Sequence, residues 1–215
     1  MSFGNSKIVR SIFFGFFLVG ISFLCTNIAY PQDYDFRHAR WGMSMQEVKD
    51  VENGEPISEF SKGQVLFYTS TLLDEKVGIA YFFAYNKLVW AKYMLAKYSD
   101  SLWRVLFSSF PRPKLALGNF IEDFDIFKKE LTAKYGEPLE EKWGIRKDSH
   151  DLPNGEESLE VFEKALKRGE GGIFSKWMTD KTKILLIVYG SRGDIAFEIG
   201  YYSRELEGLE KKDGL

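Results

Sequence analysis

One pattern occurs twice in this chain: a helical segment stops at Gly-Glu-Pro, and runs typical of β-strands follow. The first stop is Gly54-Glu55-Pro56 and the second is Gly136-Glu137-Pro138. Glycine accepts the left-handed backbone at a helix C-terminus, and proline cannot continue the helix. The chain is therefore restricted to folds in which each helix gives way to a strand-rich segment.

The first helix is predicted to begin at Ser44, because Glu47 three residues later completes a capping box. Three runs with the alternation of β-strands follow this helix, over residues 65–71, 77–85 and 88–98. The last two runs are joined by Asn86-Lys87. Since a two-residue link connects only antiparallel strands, these runs predict an antiparallel meander.

The second half of the chain has the same order of elements. Asn119 is predicted to cap a helix whose apolar residues recur every three or four positions up to Tyr135. Three further strand runs are predicted over residues 173–179, 182–189 and 194–203. The polar stretch 144–170, which contains a candidate helix at 156–168, is an insertion in this half.

These elements predict an α+β fold with two tandem helix-then-antiparallel-meander units behind an N-terminal export segment. The predicted boundaries are 1–29 for the export segment, 30–113 for the first unit and 114–215 for the second unit, which holds the inserted helical loop 144–170. A short helix over 101–110 and then Pro111-Arg112-Pro113 are expected to connect the units.

The export segment is predicted from charge and hydropathy at the N-terminus. Lys7 and Arg10 precede an uncharged and mostly apolar stretch over 11–32, which is the arrangement of a secretory signal peptide. Ala29 is the favoured cleavage position. The alternative is an uncleaved anchor, although Pro31 leaves the segment short of the about 20 apolar residues that a spanning helix needs.

Cysteine use and net charge exclude several classes of function. Cys25 is the only cysteine and lies inside the export segment, and Leu24 stands where a lipoprotein signal has a small residue. Cleavage after Ala29 leaves a mature chain without disulfides or thiolate metal sites. A net charge of −2 argues against nucleic-acid binding, which usually depends on a basic surface.

A short motif in the first unit resembles a known family. Gly42-Met43-Ser44, Val48 and Gly54-x-Pro56 are similar to the Gly-Met-Ser/Thr…Val…Gly-x-Pro signature of the SmpA/OmlA (BamE-like) envelope proteins. That family shares its helix-then-sheet unit with the β-lactamase inhibitor protein, which has two such units in tandem. The resemblance implies an envelope location and a role in protein–protein contact rather than in catalysis.

The alternation of side chains along the predicted strands also indicates a candidate binding surface. Small residues share one face of the predicted strands with scattered aromatic and charged residues, namely Phe82, Trp90, Lys92, Glu198 and Tyr202. Aromatic side chains beside charges are typical anchors of protein interfaces. The alternative interpretation is that the small residues admit a closely packed helix and that the aromatic residues belong to the core.

Catalytic and metal-binding patterns are weak. His38 and His150 are the only histidines, whereas a histidine metal site needs clustered ligands, so we expect no metal and no other cofactor. Glu137, Glu140 and Glu141 suggest paired carboxylates of the glycosidase type, but their place after a helix favours a solvated segment. The glycine-rich run 169–172 and Arg192-Gly193-Asp194 are predicted turns, by the glycines that each contains.

The sequence therefore favours a non-enzymatic, exported protein-binding or scaffold module that is periplasmic, secreted or envelope-associated. Its expected partner is another envelope protein, with no nucleic acid and with membrane contact only through residues 8–29 if that segment is uncleaved. One alternative is an envelope protein that binds a small molecule or lipid, with the aromatic sheet as a pocket wall. A second alternative is a carboxylate-dependent hydrolase that uses residues 122–141 or His150.

Overall fold

Four helices and eight strands account for most of the chain that the computed structural model describes, which is residues 34–60, 64–115, 118–145, 156–191 and 194–209. The helices are α1 (Met45–Val51), α2 (Asp100–Phe107), α3 (Asn119–Tyr135) and α4 (Glu156–Lys167). The strands are β1 (Ser58–Phe60), β2 (Val65–Leu72), β3 (Glu75–Ala84), β4 (Lys87–Leu95), β5 (Glu140–Ile145), β6 (Gly171–Met178), β7 (Thr182–Ser191) and β8 (Asp194–Ser203).

Several sequence predictions fall on residues outside these ranges. They are the export segment 1–29 with Cys25, the loop around His150, and Arg192-Gly193. Among the residues that are described, no helix is long and apolar enough to cross a membrane.

The eight strands pair into one antiparallel sheet in the order β1-β2-β3-β4-β8-β7-β6-β5. The expected α+β class is therefore confirmed. The strands of the two halves meet where β4 pairs with β8, with Trp90 opposite Tyr202 and Met94 opposite Glu198. This junction makes a single continuous surface out of strands that lie far apart in the sequence.

Two tight turns set the register of the first three long strands. The turn between β2 and β3 is Leu73-Asp74, with φ of 48° and 63°, and the turn between β3 and β4 is Tyr85-Asn86, with φ of 50° and 55°. Positive φ at both central residues matches the right-handed twist of the flanking strands. The predicted Asn86-Lys87 link is thus wrong by one residue, since Lys87 already belongs to β4.

The two faces of the sheet have different environments. The inner face, which carries Ile79, Tyr81, Ile184, Leu186 and Phe197, is buried with Val48 of α1, Phe124 of α3 and Phe162 of α4 in one hydrophobic core. The outer face alternates with it along the long strands, except at the register shift between Phe82 and Phe83, and most of its side chains are only half-buried. The core therefore lies between the sheet and α1, α3 and α4.

α2 packs on the outer face instead. Its side chains Leu102, Trp103, Leu106 and Phe107 form a small hydrophobic cluster of their own with Ala96. A β-carbon built at Gly78 of β3 would lie 3.0 Å from Leu106 Cδ1, so the absence of a side chain there lets α2 approach. The interpretation that small residues admit a helix therefore holds at the Gly78 end of the sheet.

The ends of the elements follow from local chemistry, with some corrections. The capping box at Ser44 and Glu47 is present, as the sequence predicts. Asn119, in contrast, is the first residue of α3 and not its cap, because Gly118, with φ of 83°, holds that position without a side-chain hydrogen bond. β4 stops at Leu95, and Ala96–Tyr98 form a short 3-10 helix where the strand was expected to continue.

Two edge strands have no counterpart in the sequence predictions. β5 includes Glu140 and Glu141, which were expected in a solvated segment, and β1 contains only three residues. Strands at the edge of a sheet commonly carry charges and are short, which protects their unpaired backbone groups from other chains. Such strands lack the apolar alternation on which sequence prediction relies.

Candidate functional site

Three aromatic residues form a row across the outer face at the junction of the two halves. Phe82 of β3, Trp90 of β4 and Tyr202 of β8 are consecutive cross-strand neighbours, and we call them the aromatic row. The ring centroids of Phe82 and Trp90 are 3.4 Å apart, and those of Trp90 and Tyr202 are 5.5 Å apart, with nearly parallel planes in both pairs. Lys183 of β7 extends the row, with its Nζ 5.0 Å from the Tyr202 ring.

The aromatic row is held in place by its own packing. Its rings cover one another and are half-buried. The Tyr202 ring lies over Gly200, where a β-carbon would come within 2.7 Å of it. Burial, and then the charge of Glu198, raise the pKa of Tyr202. The row is therefore a rigid apolar ridge whose tyrosine stays uncharged at neutral pH.

An ion pair lies beside the aromatic row and crosses the same β4–β8 junction. Lys92 Nζ is 2.7 Å from Glu198 Oε1, and the two side chains are 18% and 16% exposed. The Lys92 ammonium also lies 5.8 Å from the Trp90 ring. Burial, and then the charge of Glu198 and a hydrogen bond to it, raise the pKa of Tyr189 to about 12. Glu198 thus interacts with both a cation and a tyrosine hydroxyl.

The structure therefore brings together all five residues that the sequence nominated. Phe82, Trp90 and Tyr202 are in ring contact, and Lys92 and Glu198 are paired next to them. They lie on the half-exposed part of the outer face, and Glu198 is the member of the set that borders the area beside α2. A surface of this kind offers apolar contact area and one fixed pair of opposite charges.

A crevice of about 620 Å³ separates α2 from the outer face. Its apolar walls include Phe67, Met94, Leu102 and Leu106, and Ala196 of β8 lies between them. Glu198 lines the crevice as well as the aromatic surface, so the two features are continuous. No sequence pattern indicated this crevice, because it depends on where α2 docks.

The position of α2 is fixed by polar contacts at both of its ends. The Ser99 hydroxyl accepts a hydrogen bond from the Leu102 backbone N–H at 3.3 Å. The Asp194 carboxylate of β8 accepts one from the Asp100 backbone N–H at 3.1 Å. At the other end, Trp103 Nε1 donates to the Phe110 carbonyl at 3.2 Å. α2 is therefore capped by the strand that it partly covers.

A buried polar network on the inner side was not foreseen from the sequence. The Glu52 side chain is only 2% exposed, and the Arg37 Nε donates to its two carboxylate oxygens at 3.0 and 3.2 Å. The Tyr81 hydroxyl donates to the same carboxylate. Arg37 Nη1 also reaches the Ser70 hydroxyl at 3.5 Å. The network ties the segment before α1 to the central strands.

The ionisation of this network follows from its burial. Burial acts to lower the pKa of Arg37, but bonding and attraction to the Glu52 carboxylate outweigh it and raise that pKa. Burial, reinforced by the Glu52 charge, raises the pKa of Tyr81. Burial also raises the pKa of Tyr93, against the opposing charge of Arg37. The network is thus one buried ion pair with neutral tyrosines around it.

Glu140 and Glu141, two of the acidic residues considered for hydrolysis, do not form a facing pair. Glu140 and Glu141 are adjacent on β5 and so point to opposite faces. Glu140 contacts Lys142 at 2.6 Å and Lys176 at 3.1 Å, and these lysines lower its pKa. Glu141 is 2.6 Å from Lys128 of α3. Each carboxylate thus has its own lysine partner.

Metal-binding side chains are not clustered in the part of the chain that the structure describes, where no group of three or more His, Cys, Asp and Glu residues occurs. The His38 ring packs edge-on against Tyr34 at 5.9 Å. His38 Nδ1 is buried, with no hydrogen-bond partner among the described residues. The described residues around His38 do not form a metal-ligand set.

Comparison of this chain with protein-family models, with characterised proteins and with solved structures finds no match. The similarity of the 42–56 motif to envelope proteins therefore stays a prediction from the sequence. Any function assigned to the chain has to be argued from the surface that its own residues form.

Proposed function

We propose that this protein is an exported, non-enzymatic binding or scaffold module that holds a protein partner on the outer face of its sheet. The observation that carries the proposal is the aromatic row beside the Lys92–Glu198 pair, on a half-exposed part of the sheet. Large aromatic side chains are among the groups that contribute most to affinity at protein interfaces, and fixed charges beside them select the orientation of a partner.

Pre-organisation supports this assignment. The rings of the aromatic row are already stacked, so a partner that packs on them orders few additional rotatable bonds. The Lys92–Glu198 pair is fixed in the same way, with one positive and one negative group in known positions. A partner with complementary charges is favoured there, and a mismatched partner is rejected.

The proposal includes an origin of the sheet in two tandem helix-then-meander units. The strand order β1-β2-β3-β4-β8-β7-β6-β5 supports it, because the last strand of each half lies at the central junction and the strand numbers decrease away from it on both sides. In each half a helix, α1 or α3, ends near a glycine of positive φ that precedes Glu-Pro. The surface proposed for binding would then extend across the junction between the two units.

The proposed location is the periplasm, the envelope or the exterior of the cell. It rests on the signal-like sequence of residues 1–29 and on the resemblance of the 42–56 motif to envelope proteins. The proposed partner is accordingly another envelope protein. Residues 8–29 would be the membrane contact if the segment is retained.

The test is in-cell crosslinking of the full-length chain, followed by purification and mass spectrometry. The Trp90→Ala/Tyr202→Ala double variant removes two of the three stacked rings and should abolish capture of the dominant crosslinked protein. The matched control is Phe174→Ala, which removes a half-buried aromatic ring from the outer face of β6, outside the aromatic row. Circular dichroism and thermal unfolding establish that each variant remains folded.

A charge exchange provides a test that removes no aromatic ring. Lys92→Glu combined with Glu198→Lys keeps an ion pair across the junction but reverses the charges that a partner meets. We expect capture to fall at least tenfold while the melting temperature changes little. Capture that is unchanged in both the double-alanine variant and the charge exchange would remove the outer face from consideration.

A further inference from the structure

The crevice between α2 and the sheet is lined mostly by apolar side chains and also by two carboxylates. Apolar side chains from β2, β4 and α2 form the walls, among them Phe67, Met94 and Leu106. The charged side chains among the described residues that line it are both carboxylates, Asp194 and Glu198. The crevice therefore has two carboxylates and no lysine or arginine among its described lining residues, and the cation nearest to Glu198 is Lys92, which lies 2.7 Å from it outside the lining.

The geometry of β8 separates the two carboxylates along the crevice. Asp194, Ala196 and Glu198 alternate along the strand and so share the outer face. Four residues of extended strand span about 13 Å, which is the approximate backbone separation of the two acidic positions. The small Ala196 side chain leaves the space between them open.

Each end also has hydrogen-bonding groups. Ser99 and Ser101 line the crevice near Asp194, and Tyr189 lines it near Glu198. Asp194 uses one oxygen, Oδ2, to cap α2, at 3.1 Å from the Asp100 N–H. Glu198 uses Oε1 for Lys92, at 2.7 Å, and also has a hydrogen bond with the Tyr189 hydroxyl, so an incoming ammonium group would share this carboxylate with both. A volume of about 620 Å³ is within the range of small-molecule sites, about 300 to 1,000 Å³.

We propose that this crevice binds a linear aliphatic diamine or polyamine, with one ammonium group at Asp194, one at Glu198 and the methylene chain between them. A chain of eight methylenes separates its two terminal nitrogens by about 11 Å, which is close to the ~13 Å spanned by four residues of strand. The methylenes would pack on the apolar walls. This site goes beyond the proposed protein-binding role and does not depend on it.

The test is isothermal titration of the protein purified from cells that express the full chain, at low ionic strength. The probes are α,ω-diamines of four, eight and twelve methylenes, with octylamine and octanoate as comparison compounds. We expect one saturable site with highest affinity for 1,8-diaminooctane, at least tenfold tighter than octylamine. Octanoate should not bind, because the crevice presents carboxylates.

Variants locate the site. Asp194→Asn keeps an oxygen to accept from the Asp100 N–H, and Glu198→Gln keeps the volume of the side chain. Each should weaken diaminooctane binding about tenfold and leave octylamine binding less affected. Ala196→Phe should abolish binding by filling the space between the acids. Glu130→Gln, on the exposed face of α3, is the control and should have no effect.

Several results would overturn the assignment. They are equal affinity for octylamine and diaminooctane, no dependence on chain length, or binding that survives Ala196→Phe in a folded variant. Preferential binding of octanoate would indicate an anionic ligand instead. The Trp90→Ala/Tyr202→Ala variant separates this site from the protein-binding surface, because it should lose partner capture while still binding the diamine.

Discussion

Replacing Arg37 with methionine is expected to destabilise this protein by about 3 to 5 kcal/mol, because it leaves the Glu52 carboxylate buried without a cation. The Glu52 side chain is 2% exposed, and Arg37 Nε reaches both of its oxygens at 3.0 and 3.2 Å. Methionine keeps most of the aliphatic volume of arginine, so the loss reports on charge and hydrogen bonding rather than on packing.

The magnitude follows from what remains around the carboxylate. Hydrogen bonds to charged groups contribute about 1.5 to 3 kcal/mol each, and the hydroxyl of Tyr81 remains as a neutral donor. It cannot replace a positive charge in a buried position. The expected loss therefore lies well above the 0 to about 1 kcal/mol of an exposed ion pair.

The assay is urea unfolding of four proteins: the parent, Arg37→Met, Glu52→Gln and the double variant. Glutamine keeps an oxygen for the Tyr81 hydroxyl but carries no charge. The double variant should therefore be at least ~2 kcal/mol more stable than Arg37→Met alone, since it no longer contains an uncompensated carboxylate.

Lys164→Met is the matched control, because the Lys164–Glu160 pair on α4 has side chains that are 63% and 57% exposed. We expect it to change the unfolding free energy by less than about 1 kcal/mol. If Arg37→Met behaves like this exposed pair, or if Glu52→Gln does not rescue it, the argument from buried charge is wrong.

Two further predictions concern the core. Burial, and then Tyr135 and Tyr93, raise the pKa of Tyr201 well above its ordinary value, so its contribution to stability is complete below pH 10 and is lost as the pH rises further. Urea unfolding at pH 9 to 12 should show a shallower decline for Tyr201→Phe than for the parent, and parallel declines would contradict this. A β-carbon at Gly190 would overlap the Leu166 carbonyl oxygen at the end of α4, so Gly190→Ala should cost more than about 2 kcal/mol in thermal unfolding. Gly172→Ala, where the nearest atom is 3.1 Å away, should cost less, and equal losses would contradict the overlap.

The long strands were predictable because their side chains alternate between a buried and a half-exposed face. In β8, for example, Phe197 and Ile199 are buried while Glu198 between them is not. β5 escaped prediction because its first three residues, Glu140, Glu141 and Lys142, are all charged, and Trp143, alone among the described side chains of this strand, packs against the core without forming an alternating pattern. The β3–β4 turn was displaced by one residue because its geometry depends on two positive φ angles, and one of them belongs to Tyr85.

The candidate surface was predictable only in part. Alternation assigns Trp90 and Lys92 to one face of β4, and Glu198 and Tyr202 to one face of β8, without any knowledge of the fold. That these strands are neighbours depends on pairing between residues far apart in the sequence, which no local pattern encodes. The Arg37–Glu52 pair and the crevice under α2 were missed for the same reason.

The β4–β8 junction therefore links folding to the proposed function. The Trp90–Tyr202 stack and the Lys92–Glu198 pair both cross it, so neither half of the sheet contains the surface alone. A slip of one residue in this register would turn one set of side chains toward the core. Tyr201 would then face the solvent and Tyr202 the inner layer. Burial of Ile199 and Tyr201 on the inner face, and packing of Tyr93 against the same core, oppose that slip. The core side of the junction thus holds in register the residues that are proposed to bind on its other side.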